Sequence, residues 1–129
     1  MNNAYLFVYG TLMQNSQHPM HQVLQTHSEF VCEGWIQAQL YQIHDYPGAV
    51  LSDNVADRVH GEVYRLTDLS VLAQLDDFEE CSAAFPEPHE YRRRPINVVI
   101  TPAKHIKAWA YLYNHKVNPG KRIKSGRFR

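Results

Sequence analysis

A short stretch near the start of the chain combines residue types that can bind a negatively charged group. An apolar and β-branched run predicts a strand, and the four residues that end it are Tyr9, Gly10, Thr11 and Leu12. Glycine lets a ligand approach the main chain closely, and backbone N–H groups at the mouth of a strand can hold a carboxylate or an oxyanion. An ordinary strand-to-loop turn has the same composition, so this stretch alone leaves both interpretations open.

A second candidate is an acidic side chain near the end of a helix predicted for residues 68–80. One stripe of this helix carries Leu69, Leu72 and Leu75. At about 100° per residue, Glu79 continues the same apolar stripe. Burial raises the pKa of a carboxyl group, and like charges and the helix C-terminus add to the effect. The neighbouring acidic residues are Asp76, Asp77 and Glu80.

A carboxyl group with a raised pKa suits general acid/base catalysis near neutral pH. If the last turn of the helix frays, Glu79 points into water instead. The helical periodicity by itself supports the two interpretations about equally.

Other reactive residue types give weaker indications. His18 and His21 have a spacing compatible with a metal site, but Pro19 separates them and no matching acid or cysteine pair is apparent, so we expect no metal. Cys81 stands beside acids that disfavour its thiolate, which favours a plain thiol over a nucleophile. Three tyrosines are expected in the core or lining a barrel, where their hydroxyls would suit the wall of a polar pocket: Tyr91, Tyr111 and Tyr113.

The elements that must position these residues are mostly strands. Apolar alternation and turn signals predict strands at residues 5–9, 30–43 (one long strand or two joined at a bulge), 49–51, 59–66, 92–101 and 106–114. Helical spacing predicts helices at residues 18–28 and 68–80. Too few helices alternate with strands for a doubly wound parallel sheet. We therefore expect an α+β domain with a curled or barrel-like sheet and two principal helices.

The composition excludes several classes of protein. A chain of 129 residues with 44% hydrophobic and 20% charged residues is typical of one globular domain. No apolar run approaches the roughly 18 residues that span a bilayer, and no signal peptide is apparent. Two cysteines are too few for a disulfide scaffold, which favours a cytoplasmic location.

Charge is unevenly distributed along the chain. The last nine residues hold five of the thirteen basic residues and no acidic ones, although the net charge is zero. We predict a domain over residues 1–120 and a basic tail over 121–129. A tail of this kind can contact RNA or an anionic surface. We favour a solvated terminus, because the aromatic residues are not interleaved with a basic stripe. We expect no nucleic acid or membrane partner, and the oligomeric state stays open.

Five segments occur in a distinctive order along the chain. They are Phe7-Val8-Tyr9-Gly10-Thr11-Leu12, Tyr46-Pro47-Gly48, Val59-His60-Gly61-Glu62-Val63-Tyr64, Leu75-Asp76-Asp77-Phe78-Glu79 and Tyr91-Arg92-Arg93. In order and approximate spacing, these segments resemble the gamma-glutamylcyclotransferase-like family. The resemblance covers residues 4–114 and implies a small mixed β-barrel with flanking helices. Cyclotransferases of this family release 5-oxoproline from γ-glutamyl amines or peptides without a cofactor.

The resemblance also implies roles for particular residues. The turn of Tyr9, Gly10, Thr11 and Leu12 would hold the glutamyl group through backbone amides, and Glu79 would be the catalytic acid/base. We assign Tyr91 and Tyr113 to the substrate pocket. The family often has glycine directly after the catalytic glutamate, where this chain has Glu80. The segment 81–90 is also long for a small member, which is expected to reshape the mouth of the pocket.

Two further interpretations stay open. A related acyltransferase or amidase could use the same pocket on another amide, with Glu79 in the same role. Alternatively, a non-catalytic module could keep the pocket to sense a small carboxylate while the basic tail engages a partner, because function does not follow from fold alone.

Overall fold

The computed structural model describes residues 4–14, 18–80, 82 and 84–128. Cys81, considered above as a thiol, lies outside the described residues. The elements in chain order are β1 (Tyr5–Val8), α1 (Pro19–Thr26), β2 (Ser28–Ile36), β3 (Ala38–Gln42), β4 (Pro47–Leu51), β5 (Val59–Leu66), α2 (Val71–Phe78), β6 (Tyr91–Thr101), β7 (Lys104–Tyr113) and a 3-10 turn at Pro119–Lys121.

Five strands close into a barrel in the order β1, β5, β2, β6 and β7. Closure comes from β1, which pairs antiparallel with β5 and parallel with β7, where Leu6 faces Trp109. β3 and β4 form a separate antiparallel pair. The predicted α+β class, with a barrel-like mixed sheet and two helices, is confirmed. In the described part of the chain, no helix has the length and apolar character to cross a membrane.

The alternation along β5 separates two hydrophobic clusters. Val59 and Val63 belong to a cluster that gathers side chains from all seven strands, whereas Tyr64 and Leu66 belong to one that joins both helices to the barrel. Successive side chains of a strand point to opposite faces, so one alternating segment serves both clusters. This β5 has the bounds that the alternation predicts.

Two predicted elements differ from the structure. The segment 30–43 is two strands in different sheets, because β2 pairs with β5 whereas β3 pairs with β4. The second helix begins later than predicted, because the Asp68 carboxylate accepts hydrogen bonds from the Ser70 N–H and hydroxyl and holds a turn there. Leu69 consequently lies before the helix and is 60% exposed. The predicted apolar stripe is therefore wrong at Leu69.

The C-terminal segment packs against the rest of the chain. The Ile123 N–H donates to the Leu40 carbonyl at 2.7 Å, and the Gly126 carbonyl accepts from the His60 N–H at 2.8 Å. Arg122 pairs with the Asp57 carboxylate at 2.8 Å. Three separate contacts therefore tie residues 121–128 to β3, β5 and the loop between β4 and β5. The side chains of Lys121, Lys124 and Arg127 are exposed, as expected for a solvated terminus.

Candidate active site

A cavity of about 250 Å³ lies where β1 ends, beside the last turn of α2 and the starts of β4 and β6. Its wall includes the predicted turn, Tyr9, Gly10, Thr11 and Leu12, together with the predicted acid, Glu79, and Tyr91. The turn and the acid are some seventy residues apart in the chain. The fold therefore brings the two candidate features of the sequence into one cavity.

The turn after β1 depends on a close approach at Gly10. A Cβ atom on Gly10 would lie 2.7 Å from Cγ of Pro47, the first residue of β4. A side chain at this position would push β4 away from the turn. The Met13 N–H closes the turn by donating to the Gly10 carbonyl at 3.0 Å, so the closing bond does not use the amides of Thr11 and Leu12, which stand between.

Glu79 caps the C-terminus of α2, where its N–H donates to the Leu75 carbonyl at 2.9 Å. Its side chain is partly buried in the cavity wall. Desolvation, with a smaller contribution from the charge of Glu90, raises the pKa of Glu79 to about 8. The pKa of Glu79 is raised, as the sequence analysis predicts. The like charge that contributes comes from Glu90, however, and not from Asp77 and Glu80, which are exposed.

Asp76 does not act as a like-charge neighbour because it is paired. Its two oxygens accept from Nε and Nη2 of Arg93 at 2.7 and 3.0 Å, and Oδ1 also accepts from the Tyr111 hydroxyl at 2.7 Å. Arg93 in turn stacks over the Trp109 ring. These bonds attach the last turn of α2, which carries Glu79, to β6 and β7.

The hydroxyls of two predicted site tyrosines are occupied by structural bonds. The Tyr9 hydroxyl donates to the Tyr111 carbonyl at 2.6 Å and accepts from the Ala49 N–H at 3.1 Å. The Tyr91 hydroxyl donates to the Pro47 carbonyl at 2.6 Å. Burial raises the pKa of both hydroxyls above the ordinary tyrosine value. Both side chains therefore hold β4 against the barrel and present their rings to the cavity.

Tyr113 lies behind the cavity wall. Its ring packs edge-on against Tyr91, with centroids 5.5 Å apart, and it is not among the residues that line the cavity in the described part of the chain. It therefore supports Tyr91 and does not face the cavity, unlike the position that the sequence analysis gave it.

Glu90 and Tyr46 are two cavity residues that the sequence analysis did not assign to the site. The Tyr46 hydroxyl donates to Oε2 of Glu90 at 2.7 Å. Tyr46 is the first residue of the segment Tyr46-Pro47-Gly48, which was already singled out, and Glu90 directly precedes β6. That adjacency was the available signal, but the pairing joins residues 44 positions apart, which no local pattern predicts.

The two histidines considered for a metal site are in contact with the backbone. His18 Nδ1 accepts from the Met20 N–H as the cap of α1, and His21 Nδ1 donates to the Leu12 carbonyl at 2.7 Å. Across the described residues, no three histidine, cysteine or acidic side chains are grouped as a metal site would require.

Comparisons with known proteins agree with this architecture. The chain matches the family model described as gamma-glutamyl cyclotransferase, AIG2-like, over residues 6–129. It is 37% identical over 123 residues to the gamma-glutamylcyclotransferase family protein YtfP of Escherichia coli, covering 94% of this chain and 92% of YtfP.

Two solved structures have a similar fold. The crystal structure of a mouse AIG2-like protein matches with a TM-score of 0.73 and 25% identity, covering 100% of this chain and 90% of the mouse chain. YkqA from Bacillus subtilis matches with a TM-score of 0.74 and 25% identity, covering 98% of this chain but 40% of YkqA. Because the family model matches residues 6–129 and the similarity to YtfP extends over nearly the whole chain, this protein belongs to the gamma-glutamyl cyclotransferase, AIG2-like family.

Proposed function

We propose that this protein is a cyclotransferase that releases 5-oxoproline from a γ-glutamyl amine or peptide, with Glu79 as the general acid/base. One observation carries the proposal. A carboxyl group with a pKa of about 8 shares a cavity with the glycine turn at the end of β1. A carboxyl group tuned to this range can both accept and return a proton near neutral pH.

The reaction needs one proton acceptor and one proton donor. The α-amine of the glutamyl group attacks its own γ-carbonyl carbon, which forms a five-membered lactam. An α-ammonium cannot attack, so the Glu79 carboxylate first accepts one of its protons. As the bond between the γ-carbonyl carbon and the leaving nitrogen breaks, the neutral Glu79 returns this proton to that nitrogen. The Glu79 carboxylate then accepts the second proton that the ring nitrogen loses and passes it to the released amine. The products are 5-oxoproline and the amine as its ammonium ion.

The raised pKa of Glu79 is compatible with both roles. In the free protein at pH 7 its carboxyl group is mostly neutral. A bound α-ammonium beside it favours the carboxylate, because an opposite charge nearby stabilises the ionised form. Substrate binding therefore brings Glu79 to the form that accepts a proton.

The turn after β1 supplies the second part of the proposal. No lysine or arginine occurs among the described residues that line the cavity, so the substrate's α-carboxylate requires neutral donors. We infer that the backbone amides of residues 10–12 bind this carboxylate or stabilise the oxyanion of the tetrahedral intermediate. Because ring closure is intramolecular, holding the folded-back conformer supplies much of the acceleration.

The test is release of 5-oxoproline from a panel of γ-glutamyl amines and peptides. We expect Glu79→Gln to lower kcat/KM on the order of 100-fold or more, whereas Asp77→Asn, two residues away and exposed, retains wild-type activity. Unchanged turnover by Glu79→Gln would exclude the mechanism.

Mass spectrometry of the products separates the remaining candidates. The lactam identifies cyclisation, whereas free glutamate or a transferred glutamyl group identifies an amidase or an acyltransferase. Thermal stabilisation by a γ-glutamyl compound without any turnover would instead identify a binding module.

A further inference from the structure

The cavity wall carries more acidic groups than the proposed reaction uses. Besides Glu79, the side chains of Asp45, Glu80 and Glu90 line it. We propose that Asp45 and Glu80 select γ-glutamyl amides whose leaving amine bears a second positive charge. The inference rests on the proposed cyclotransferase function and specifies its substrate class.

Glu80 is held at the mouth of the cavity by an unusual backbone. It follows the cap of α2 in the left-handed region, with a φ of 57°. Glycine is the common residue in this position of a helix end, because a Cβ atom is unfavourable there. The Glu80 side chain is exposed, so packing does not explain its presence. What the side chain adds is a carboxylate beside Glu79.

Asp45 contributes a carboxylate from another part of the chain. It lies in the turn before β4, beside Tyr46, and is also exposed. Within the described part of the chain, neither Asp45 nor Glu80 has a hydrogen-bond or salt-bridge partner for its carboxylate. Other acids of the molecule are neutralised, such as Asp76 by Arg93 and Asp57 by Arg122. The two mouth carboxylates are therefore available to a cation.

Glu80 also acts electrostatically on the opposite side of the mouth. Desolvation and the hydrogen bond to Glu90 are the main causes of the raised pKa of Tyr46, and the charge of Glu80 contributes to it. Tyr46 is the immediate neighbour of Asp45. Glu80 and Asp45 therefore both lie near Tyr46 in the cavity lining.

The proposed position of the glutamyl group decides which part of the substrate faces the carboxylates of Glu80 and Asp45. The turn amides and Glu79 are assigned to the glutamyl group, and Glu90 accepts from the Tyr46 hydroxyl, so Glu80 and Asp45 are the acids of the cavity lining left to face the leaving group. An ammonium there is attracted, and a carboxylate, such as the C-terminus of a leaving peptide, is repelled. Exposed charges of this kind discriminate by up to about fivefold per pair, and salt weakens them.

The experiment compares three amides of nearly equal size that differ in the charge of the leaving group. They are the γ-glutamyl amides of 1,4-diaminobutane, which is cationic, of pentylamine, which is neutral, and of 4-aminobutanoic acid, which is anionic. Release of 5-oxoproline gives kcat/KM for each. We expect kcat/KM to fall by roughly fivefold or more at each step from cation to neutral to anion at low salt, and the differences to shrink at high salt.

Variants assign the preference to the two carboxylates. Glu80→Gln and Asp45→Asn should each lower the ratio of kcat/KM for the cationic amide to that for the neutral amide by about fivefold. Asp53→Asn, an exposed acid in the loop after β4 that does not line the cavity, should leave the ratio unchanged. Glu80→Gly removes the same charge and suits the left-handed backbone, so a folding defect in Glu80→Gln cannot account for the result.

The outcomes separate this inference from the proposed function. If all three amides yield 5-oxoproline at similar rates, or if the Glu80 and Asp45 variants keep the wild-type ratio, the cyclotransferase stands and the charge selection is overturned. If wild type releases 5-oxoproline from none of the three amides or the wider γ-glutamyl panel, the function fails, and the inference fails with it.

Discussion

At the scale of single residues, the raised pKa of Glu79 suits proton transfer but lowers the stability of the fold as the pH rises. Its carboxyl group ionises near pH 4.5 in an unfolded chain but at a pKa of about 8 in the fold. Between these values the unfolded chain has released a proton that the folded chain still holds. The free energy of unfolding therefore falls as the pH rises from about 4.5 to 8, and this loss is absent at lower pH.

Glu79→Gln should consequently stabilise the protein at alkaline pH. Each unit of pKa is worth about 1.4 kcal/mol, so the shift from 4.5 to about 8 limits the gain at pH 9 to roughly 5 kcal/mol, and the partial exposure of the side chain reduces it. At pH 4 the gain should vanish. Thermal unfolding at both pH values measures it, with Asp77→Asn as the control. An equal change of Tm at pH 4 and pH 9 would contradict the pKa assignment.

The pH dependence of turnover tests the same group in action. Because kcat/KM reports ionisations of the free enzyme, it should rise with pH with a midpoint near 8, the pKa of Glu79. Glu90→Gln removes the like charge that helps to raise this pKa, so the midpoint should move down by up to about one unit. Glu87→Gln, an exposed acid of the same loop, is the matched control. A midpoint that stays near 8 in Glu90→Gln would exclude Glu90 as a cause.

At the scale of elements, the end of α2 carries two of the four acids that line the cavity, and one of them, Glu80, adopts a conformation that favours glycine. Glu80→Gly should therefore stabilise the folded protein by about 0.5–1 kcal/mol, because relief of the left-handed backbone outweighs the larger entropy of glycine in the unfolded chain. Urea unfolding measures the change. Glu80→Ala keeps the Cβ atom and should bring no such gain; equal stabilisation by alanine would show that the charge, not the backbone, is unfavourable.

The attachment of α2 to the barrel should matter for turnover as well as stability. Asp76→Asn removes the charge that pairs with Arg93 while keeping the shape of the side chain. We expect a loss of about 1–3 kcal/mol in the free energy of unfolding and a fall in kcat, because Glu79 lies three residues further along the same helical turn. Asp77→Asn serves as the neighbouring control. If Asp76→Asn is destabilised but keeps the wild-type kcat, the pair of Asp76 and Arg93 contributes to stability and not to turnover.

At the scale of the whole molecule, the C-terminal segment is fastened by a polar cluster around Asp57. Hydrogen bonds from Ser52 and Gln39, together with Arg122, lower the pKa of the Asp57 carboxyl group to about 2. A lowered pKa of an acid contributes stability above its ordinary value, and this contribution is lost as the pH falls towards 2.

Asp57→Asn should lower Tm at pH 7, because the segment loses its ion pair to Arg122. The difference from wild type should shrink steadily as the pH is lowered from about 4 to 2.5. Asp53→Asn in the same loop should have little effect at any pH. A difference in Tm between wild type and Asp57→Asn that is the same at pH 7 and pH 2.5 would show that the ionised form of Asp57 does not fasten the segment.

The fold class and much of the element order could be predicted locally. β5 follows from strict alternation, and the short α2 from its leucines, although Asp68 and Ser70 delay its start. The split between β2 and β3 could not be predicted, because a continuous β-type sequence does not state which strand each half will pair with. The attachment of residues 121–128 was missed for the same reason: a basic composition does not reveal that Arg122 has a partner in Asp57.

By itself, the sequence determined a strand followed by a turn at Gly10 and an acidic residue at the end of α2. The alternation of side chains, the helical spacing and the conformational freedom of glycine depend only on residues close together in the chain. The sequence is therefore sufficient to predict them. Only the tertiary structure decided that Glu90 stands near Glu79, that Asp76 is neutralised by Arg93, and that Tyr113 lies behind the wall. Such contacts depend on barrel closure, which brings together side chains tens of residues apart that no local pattern pairs.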